Sequence, residues 1–215
     1  MNVPVGFLEI IVGPMFSGKT THLVNLYHTY VTSGLRVLVI NYSADTRYHD
    51  TMLSTHDKIM IPCTFAFELA NVQGYVQGHV QGHVQGHVQG HVQGHVQGHV
   101  QGHVQGSFEN YDAILINEAQ FFPDLYETVV NLVNIDKKRV HICGLDGDFK
   151  RQKFGKLLDL IPLCDTVTKL HSNCTNCQKP AIFSHRITKE QEQVIIGSTN
   201  YVPLCRTCYN FANSV

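Results

Sequence analysis

Two groups of residues in this 215-residue chain have the types and spacing to do chemistry. The first is the run Gly13, Pro14, Met15, Phe16, Ser17, Gly18, Lys19 and Thr20, which fits G-x-x-x-x-G-K-[ST]. In such a loop the glycines let the backbone curl, so that its N–H groups and the N-terminus of the next helix face phosphate oxygens. Lys19 would reach the β- and γ-phosphates, and the Thr20 hydroxyl would ligate magnesium. A chance match in a chain of this size is on the order of one in a hundred. The competing reading is a plain glycine turn before a helix. The surroundings favour the nucleoside-triphosphate site, because an apolar run precedes the motif and a helical pattern follows it.

The second group is Cys174, Cys177, Cys205 and Cys208, two C-x-x-C pairs with 27 residues between them. Four thiolates close a tetrahedral zinc and leave no open position, so such a site is structural rather than catalytic. The separation is longer than in the shortest zinc ribbons, and a hairpin or long loop must fill it. Two unrelated buried pairs, or a redox dithiol, are the other readings. Cys63, Cys143 and Cys164 stand apart from both pairs.

The elements that must position these groups follow from the apolar pattern. Phe7–Val12 is a short apolar run stopped by Gly13 and Pro14, and it reads as a buried strand. Residues 20–32 carry Leu23, Leu26, Tyr27 and Tyr30 at helical spacing. Residues 36–42 read as a second buried strand, 43–57 as polar and turn-rich, and 65–70 as one or two helical turns. Residues 113–116 form a third strand, which runs into Asn117 and Glu118. Pro123 and Asp124 open a helix to about Val133, and residues 139–143 form a fourth strand. Strands apolar on both faces and alternating with helices argue for an α/β fold, a parallel sheet with helices on both faces. Near the C-terminus, residues 182–187 and 193–196 are two short strand candidates. Glu118 at a strand C-terminus falls on the side where ligands of open α/β sheets bind.

Composition narrows the functional classes. Sixteen Lys and Arg against 17 Asp and Glu give a formal net charge of −1. That balance supplies no electrostatic reason to bind nucleic acid or an anionic membrane. No apolar run approaches the roughly 18 residues of a spanning helix, and the N-terminus lacks the pattern of a signal peptide. The expected setting is cytoplasmic. Seven of the 14 histidines lie in residues 72–107, where V-Q-G recurs nine times at four-residue intervals. Glycine once per turn disfavours a helix, and an alternation of this kind specifies strand register weakly. The repeat therefore reads as a low-complexity insertion, expected to be disordered. Metal binding by its histidines, and self-association, are the lesser readings.

Six segments in order resemble the type II thymidine kinases, cellular and viral enzymes with a P-loop core and a zinc-held lasso. They are G-P-M-F-S-G-K-T, D-T-R-Y from Asp45, S-T-H-D from Ser54, N-E-A-Q-F-F from Asn117, L-D-G-D-F-K-R-Q-K-F-G from Leu145, and the C-terminal C-x-x-C pairs with Y-x-x-x-C-R-x-C. The resemblance implies a RecA-like kinase core over 1–170, interrupted by the repeat, and a zinc-ribbon lasso domain over 171–215. It implies transfer of the ATP γ-phosphoryl group to the 5′-hydroxyl of thymidine, with Glu118 as catalytic base. Asp45, Thr46, Arg47, Asn117, Ala119 and Gln120 would join the loop residues around ATP and magnesium. Phe121, Leu145 and Phe149 would enclose the nucleoside, while Glu192, Gln193, Val194, Ile195, Ile196 and Tyr201 would close over the base. The resemblance further implies structural zinc and a homotetramer. Asn117 departs from the pattern, since the residue before the catalytic glutamate is ordinarily acidic. A broader deoxynucleoside kinase, a general P-loop ATPase and a zinc-ribbon nucleic-acid adaptor are the alternatives.

Overall fold

The apolar run before the phosphate-loop motif is strand β1 (Phe7–Val12), with five of its six residues buried. The computed structural model describes residues 5–45, 52–72, 108–195, 197 and 199–213. Helix α1 (Lys19–Thr32) and strand β2 (Val37–Tyr42) come next. Strands β3 (Met52–Ser54), β4 (Met60–Pro62) and β5 (Thr64–Ala66) precede the repeat. Beyond it lie β6 (Ala113–Ile116), α2 (Leu125–Asn134), β7 (Arg139–Gly144) and β8 (Thr166–Lys169). One six-stranded sheet has the order β5-β2-β6-β7-β1-β8, and every neighbouring pair is parallel.

The register shows why these strands are apolar throughout. Ile10 pairs with Ile142, Ile142 with Ile116, and Ile116 with Ile40, a row of four fully buried isoleucines across the sheet. That face packs under Leu125, Val129 and Leu132 of α2 and under Leu157 and Leu160 of a 3-10 segment. One residue to either side of that row, Ile11, Val39, Leu115 and Cys143 face the other way, against Leu23 and Val24 of α1. Each such side chain contributes roughly 1.5–3 kcal/mol by leaving water, so both faces must be covered.

A polar cluster is buried on the α1 face. The His141 ring lies 2.8 Å through Nδ1 from Glu9 Oε2 and 2.8 Å through Nε2 from the Tyr30 hydroxyl. Thr168 donates to the other Glu9 oxygen at 2.8 Å. Burial holds His141 below its ordinary range against the opposing pull of Glu9. A neutral ring then donates from Nδ1 to Glu9 and accepts the Tyr30 proton at Nε2.

Several local expectations need correction. Residues 65–70 are not helical turns, because residues 64–66 pair with β2 at the sheet edge and only Leu69–Asn71 makes a 3-10 turn. The stretch 43–57 contains β3, which pairs antiparallel with β4. Helix α2 begins at Leu125 with Asp124 at its N-cap, as Pro123 and Asp124 indicate, and the Asp124 carboxylate accepts the N–H groups of Leu69 and Ala70. The repeat, apart from Val72, lies outside the described residues.

The C-terminal part is built differently. Strands β9 (Ser172–Asn173) and β10 (Pro180–Ala181) form one small antiparallel pair, and β11 (Phe183–Arg186) and β12 (Tyr201–Leu204) another. Helix α3 (Arg206–Asn213) follows. The fully packed core here is Cys174, Ala181, Leu204, Cys205 and Tyr209. No helix among the described residues is long and apolar enough to cross a membrane.

Candidate functional site

Strands β1, β2, β6 and β7 are parallel neighbours, so their carboxyl ends open on one edge of the sheet, where ligands of such sheets bind. The loop after β1 curls back on itself. Lys19 Nζ donates to the Pro14 carbonyl at 2.8 Å, and Gly18 takes a left-handed φ of 83° to start α1. The helix carries no side-chain cap and no acid in its first turn, so its N-terminal dipole faces the loop undiminished.

At the end of β6, Glu118 also takes a left-handed φ, 52°, and turns the chain into the 3-10 turn Ala119–Phe121. That conformation costs a non-glycine residue about 1–2 kcal/mol and aims the carboxylate off the strand axis. Gln120 holds it there, with its amide nitrogen 2.6 Å from Glu118 Oε2 and its amide oxygen accepting the Leu145 N–H at 3.0 Å. The strand ends of β6 and β7 are thereby latched. Gly155 fits against this latch at φ 61°; a Cβ there would stand 2.1 Å from the Gln120 carbonyl oxygen.

Asn117 is buried and fully engaged. Its Nδ2 donates to Asn41 Oδ1 at 2.8 Å, and Asn41 Nδ2 in turn donates to the Asp45 carbonyl at 3.3 Å. Asn117 Oδ1 lies 3.4 Å from the Thr20 hydroxyl and accepts the Cys143 thiol at 3.0 Å. Burial pushes that thiol up to about 12, so it stays a donor. The Thr20 hydroxyl, its proton turned toward Asn117, leaves its lone pairs on the cleft as a hard oxygen donor of the kind magnesium takes, while Asn117 stands behind it.

A cleft open to solvent runs along this edge. Met15, Phe16, Ser17, Gly18, Lys19, Thr20, Asp45 and Glu118 line one part of it, and Phe121, Leu145 and Phe149 another. Gln193, Val194, Ile195 and Tyr201 form the wall supplied by the C-terminal part. Phe121 is seated by the Tyr42 ring, stacked at 5.0 Å, and by Phe154, edge-on at 5.3 Å. Gly13, Pro14, Asn117, Ala119, Gln120 and Glu192 do not line the cleft. Thr46, Arg47 and Ile196 lie outside the described residues.

The strand expected over residues 193–196 is absent across the described residues 193–195. The carbonyls of Glu192 and Gln193 go to the Arg186 guanidinium and not to a neighbouring strand. Sequence reasoning passed over Arg186, because nothing in its spacing marks a buried cation. It also left out Ser54, His56, Asp148, Phe154 and Ser184, which line the cleft. Asp148 and Phe154 lie inside a motif whose chemistry was assigned to Leu145 and Phe149, while Ser54 and His56 lie in a motif that was given no role. Ser184 reaches across from β11 to accept the Met15 N–H at 3.0 Å.

The four cysteine sulfurs lie within 4.8 Å of one another. Cys177 Sγ is 3.6 Å from Cys205 Sγ and 3.6 Å from Cys208 Sγ. Tetrahedral zinc with bonds of about 2.3 Å requires sulfurs roughly 3.8 Å apart, so the donor set fits the ion. Burial resists ionisation of Cys174, but backbone N–H donors draw its thiol down to about 6. Cys208, whose thiol shares a hydrogen bond with Cys205 and donates to Cys177, keeps its proton and is pushed up to about 12. Sulfurs this close share protons, and a divalent cation would replace them.

A family model described as thymidine kinase matches residues 6–88 and 73–209. The thymidine kinase of Oryza sativa subsp. japonica is 36% identical over 206 residues, 95% of this chain and 66% of that protein. The thymidine kinase of Vaccinia virus (strain Western Reserve) is 35% identical over 205 residues, 95% of this chain and 97% of its own length. The cytosolic thymidine kinase of Gallus gallus is 33% identical over 207 residues, 96% of this chain and 78% of that one.

Proposed function

This chain belongs to the thymidine kinase family, and on that premise we propose that it transfers the γ-phosphoryl group of ATP to the 5′-hydroxyl of thymidine. The observation that carries the reading is the meeting of Lys19, Thr20 and Glu118 with Phe121, Phe149 and Tyr201 in one cleft. The first three suit a triphosphate and the acceptor hydroxyl, and the aromatic rings suit a nucleoside.

In this reading the curled loop and the α1 N-terminus hold the phosphates, with Lys19 against the transferring group. Glu118 accepts the proton of the attacking hydroxyl. Positioning and charge neutralisation supply most of the rate, since phosphoryl transfer asks little covalent chemistry of a protein. Magnesium held at Thr20, whose hydroxyl Asn117 orients from behind, would neutralise phosphate charge. Backbone groups around Val194 and Ile195 would read the base, because fixed N–H and C=O groups lose little entropy on binding. We read residues 1–170 as the kinase core, the repeat as its insertion, and 171–215 as a lobe held by zinc. A cytoplasmic setting keeps the four thiols reduced for the metal.

The test is turnover of ATP with magnesium and each of the four deoxynucleosides, with Glu118→Gln as control. Thymidine should be the preferred acceptor, and the variant should lose about 10²–10⁴-fold in kcat with unchanged stability. Equal use of several deoxynucleosides would favour the broader kinase. ATP hydrolysis with no nucleoside requirement would refute both.

A further inference from the structure

Arg186 closes β11 and pairs with Tyr201, the first residue of β12. Residues 187–200 leave and return at this pair, and they carry Gln193, Val194 and Ile195 onto the cleft wall. The Arg186 side chain points into that loop. It is only 5% exposed. One nitrogen, Nη1, donates to the carbonyls of Glu190 at 2.9 Å and Glu192 at 2.5 Å. The other, Nη2, donates to the Gln193 carbonyl at 3.3 Å and to the Tyr201 hydroxyl. The guanidinium carbon stands 3.8 Å from the centre of the Phe149 ring and 5.0 Å from that of Tyr201.

Burying a cation is unfavourable unless its donors are met. Here four protein oxygens meet the two terminal nitrogens and an aromatic face covers the plane, Nε alone lacking a partner among the described residues, and in return a stretch without strand pairing has its carbonyls satisfied. Phe149 is held from other sides as well. The Tyr209 hydroxyl of α3 donates to its carbonyl, and neighbouring Asp148 accepts Gln193 Nε2 at 2.8 Å. The guanidinium therefore touches both the loop and an aromatic ring of the opposite wall. Only a planar fork can serve several carbonyls and lie flat on a ring; an ammonium cannot do both.

We propose that Arg186 is the positioning residue of the nucleoside-covering loop, fixing the backbone of residues 190–193 and the Phe149 ring as one unit. The proposal rests on the thymidine kinase reading above. It makes the order of the loop depend on a side chain that does not itself line the cleft.

The test compares Arg186→Lys and Arg186→Gln with the wild-type chain. In both, thymidine KM should rise by about tenfold or more, while kcat moves less than about threefold and ATP KM stays put. Lysine should retain part of the effect. Metal content equal to wild type would show the lobe intact. A readout independent of turnover is cleavage after Lys189 by a lysine-specific protease, which should be about fivefold or more faster in the glutamine variant. Wild-type thymidine KM together with wild-type cleavage would overturn the proposal. So would a parallel rise in both substrate KM values with loss of metal, which reports a general structural role. If the wild-type chain turns over no thymidine, the functional reading fails, and the cleavage rates still decide whether Arg186 holds the loop.

Discussion

The two walls of the cleft are held by opposite means. The sheet edge is positioned by packing, with four parallel strands whose side chains are buried on both faces between helices. The C-terminal wall has a core of five residues, two of them cysteines, and relies on fixed polar contacts instead. Four sulfurs converge, Arg186 gathers carbonyls, and Arg151 lies over Tyr209 and Phe183 at 4.8 and 5.5 Å. A dense apolar core gives a rigid seat for charge transfer and needs many residues. A cross-linked loop needs few, and it can open when a contact or two is released.

Paired substitutions break this contrast most sharply. Leu115→Ala, on the α1 face, should lower global stability by about 2–5 kcal/mol and leave thymidine KM near wild type in protein that remains folded. Cys205→Ala, or chelation of the metal, should do the reverse by loosening the lobe and raising thymidine KM while the sheet stays folded. Thermal unfolding beside steady-state kinetics separates the two. One shared transition and equal kinetic damage would erase the distinction.

Asn117→Asp probes the sheet edge alone. The new carboxylate should lower the magnesium needed for half-maximal rate by a few-fold, on the order of the gain from one added charged ligand. It should also destabilise by about 1 kcal/mol, because Asn41 must then turn its amide nitrogen inward and lose its bond to the Asp45 carbonyl. An unchanged magnesium requirement would place the ion elsewhere.

The smallest effect is a pH slope. His141 is held neutral in the folded chain, so as pH falls the unfolded chain takes up that proton first. Its contribution to stability is complete above the unfolded value of about 6.5 and declines as pH drops toward the lower folded value. Urea midpoints at pH 7.5 and 5.5 should differ less in His141→Gln than in wild type. An identical pH dependence would mean that folding leaves the ring's proton affinity unchanged, and a slope of opposite sign that the ring is charged beside Glu9.

The sheet edge was legible because each of its devices is local. A glycine-lysine-threonine run after an apolar strand, and an acid after another, announce themselves within eight residues. The metal ligands were equally plain from their spacing. The loop that brings Gln193–Ile195 to the cleft was not, and the expected strand at residues 193–196 shows why. Its backbone conformation is set by Arg186, whose role exists only once β11 and β12 have paired. The helical turns expected over residues 65–70 were misplaced for a similar reason, since the 3-10 turn starts only at Leu69, where N–H groups answer to Asp124, more than fifty residues away. Non-local polar contacts leave no periodicity to read.

Gly155 carries a consequence for how movement passes through the molecule. With no side chain between them, its backbone and that of Gln120 meet directly, and there is no compressible layer to absorb a displacement. The Asp148–Phe149 stretch a few residues upstream is gripped by Tyr209, Arg186 and Gln193, while Gln120 grips Glu118. A displacement of the C-terminal lobe would therefore be passed on through directly touching backbone. Slack introduced in the lobe reaches the carboxylate undamped, and any residue larger than glycine at this contact would jam it.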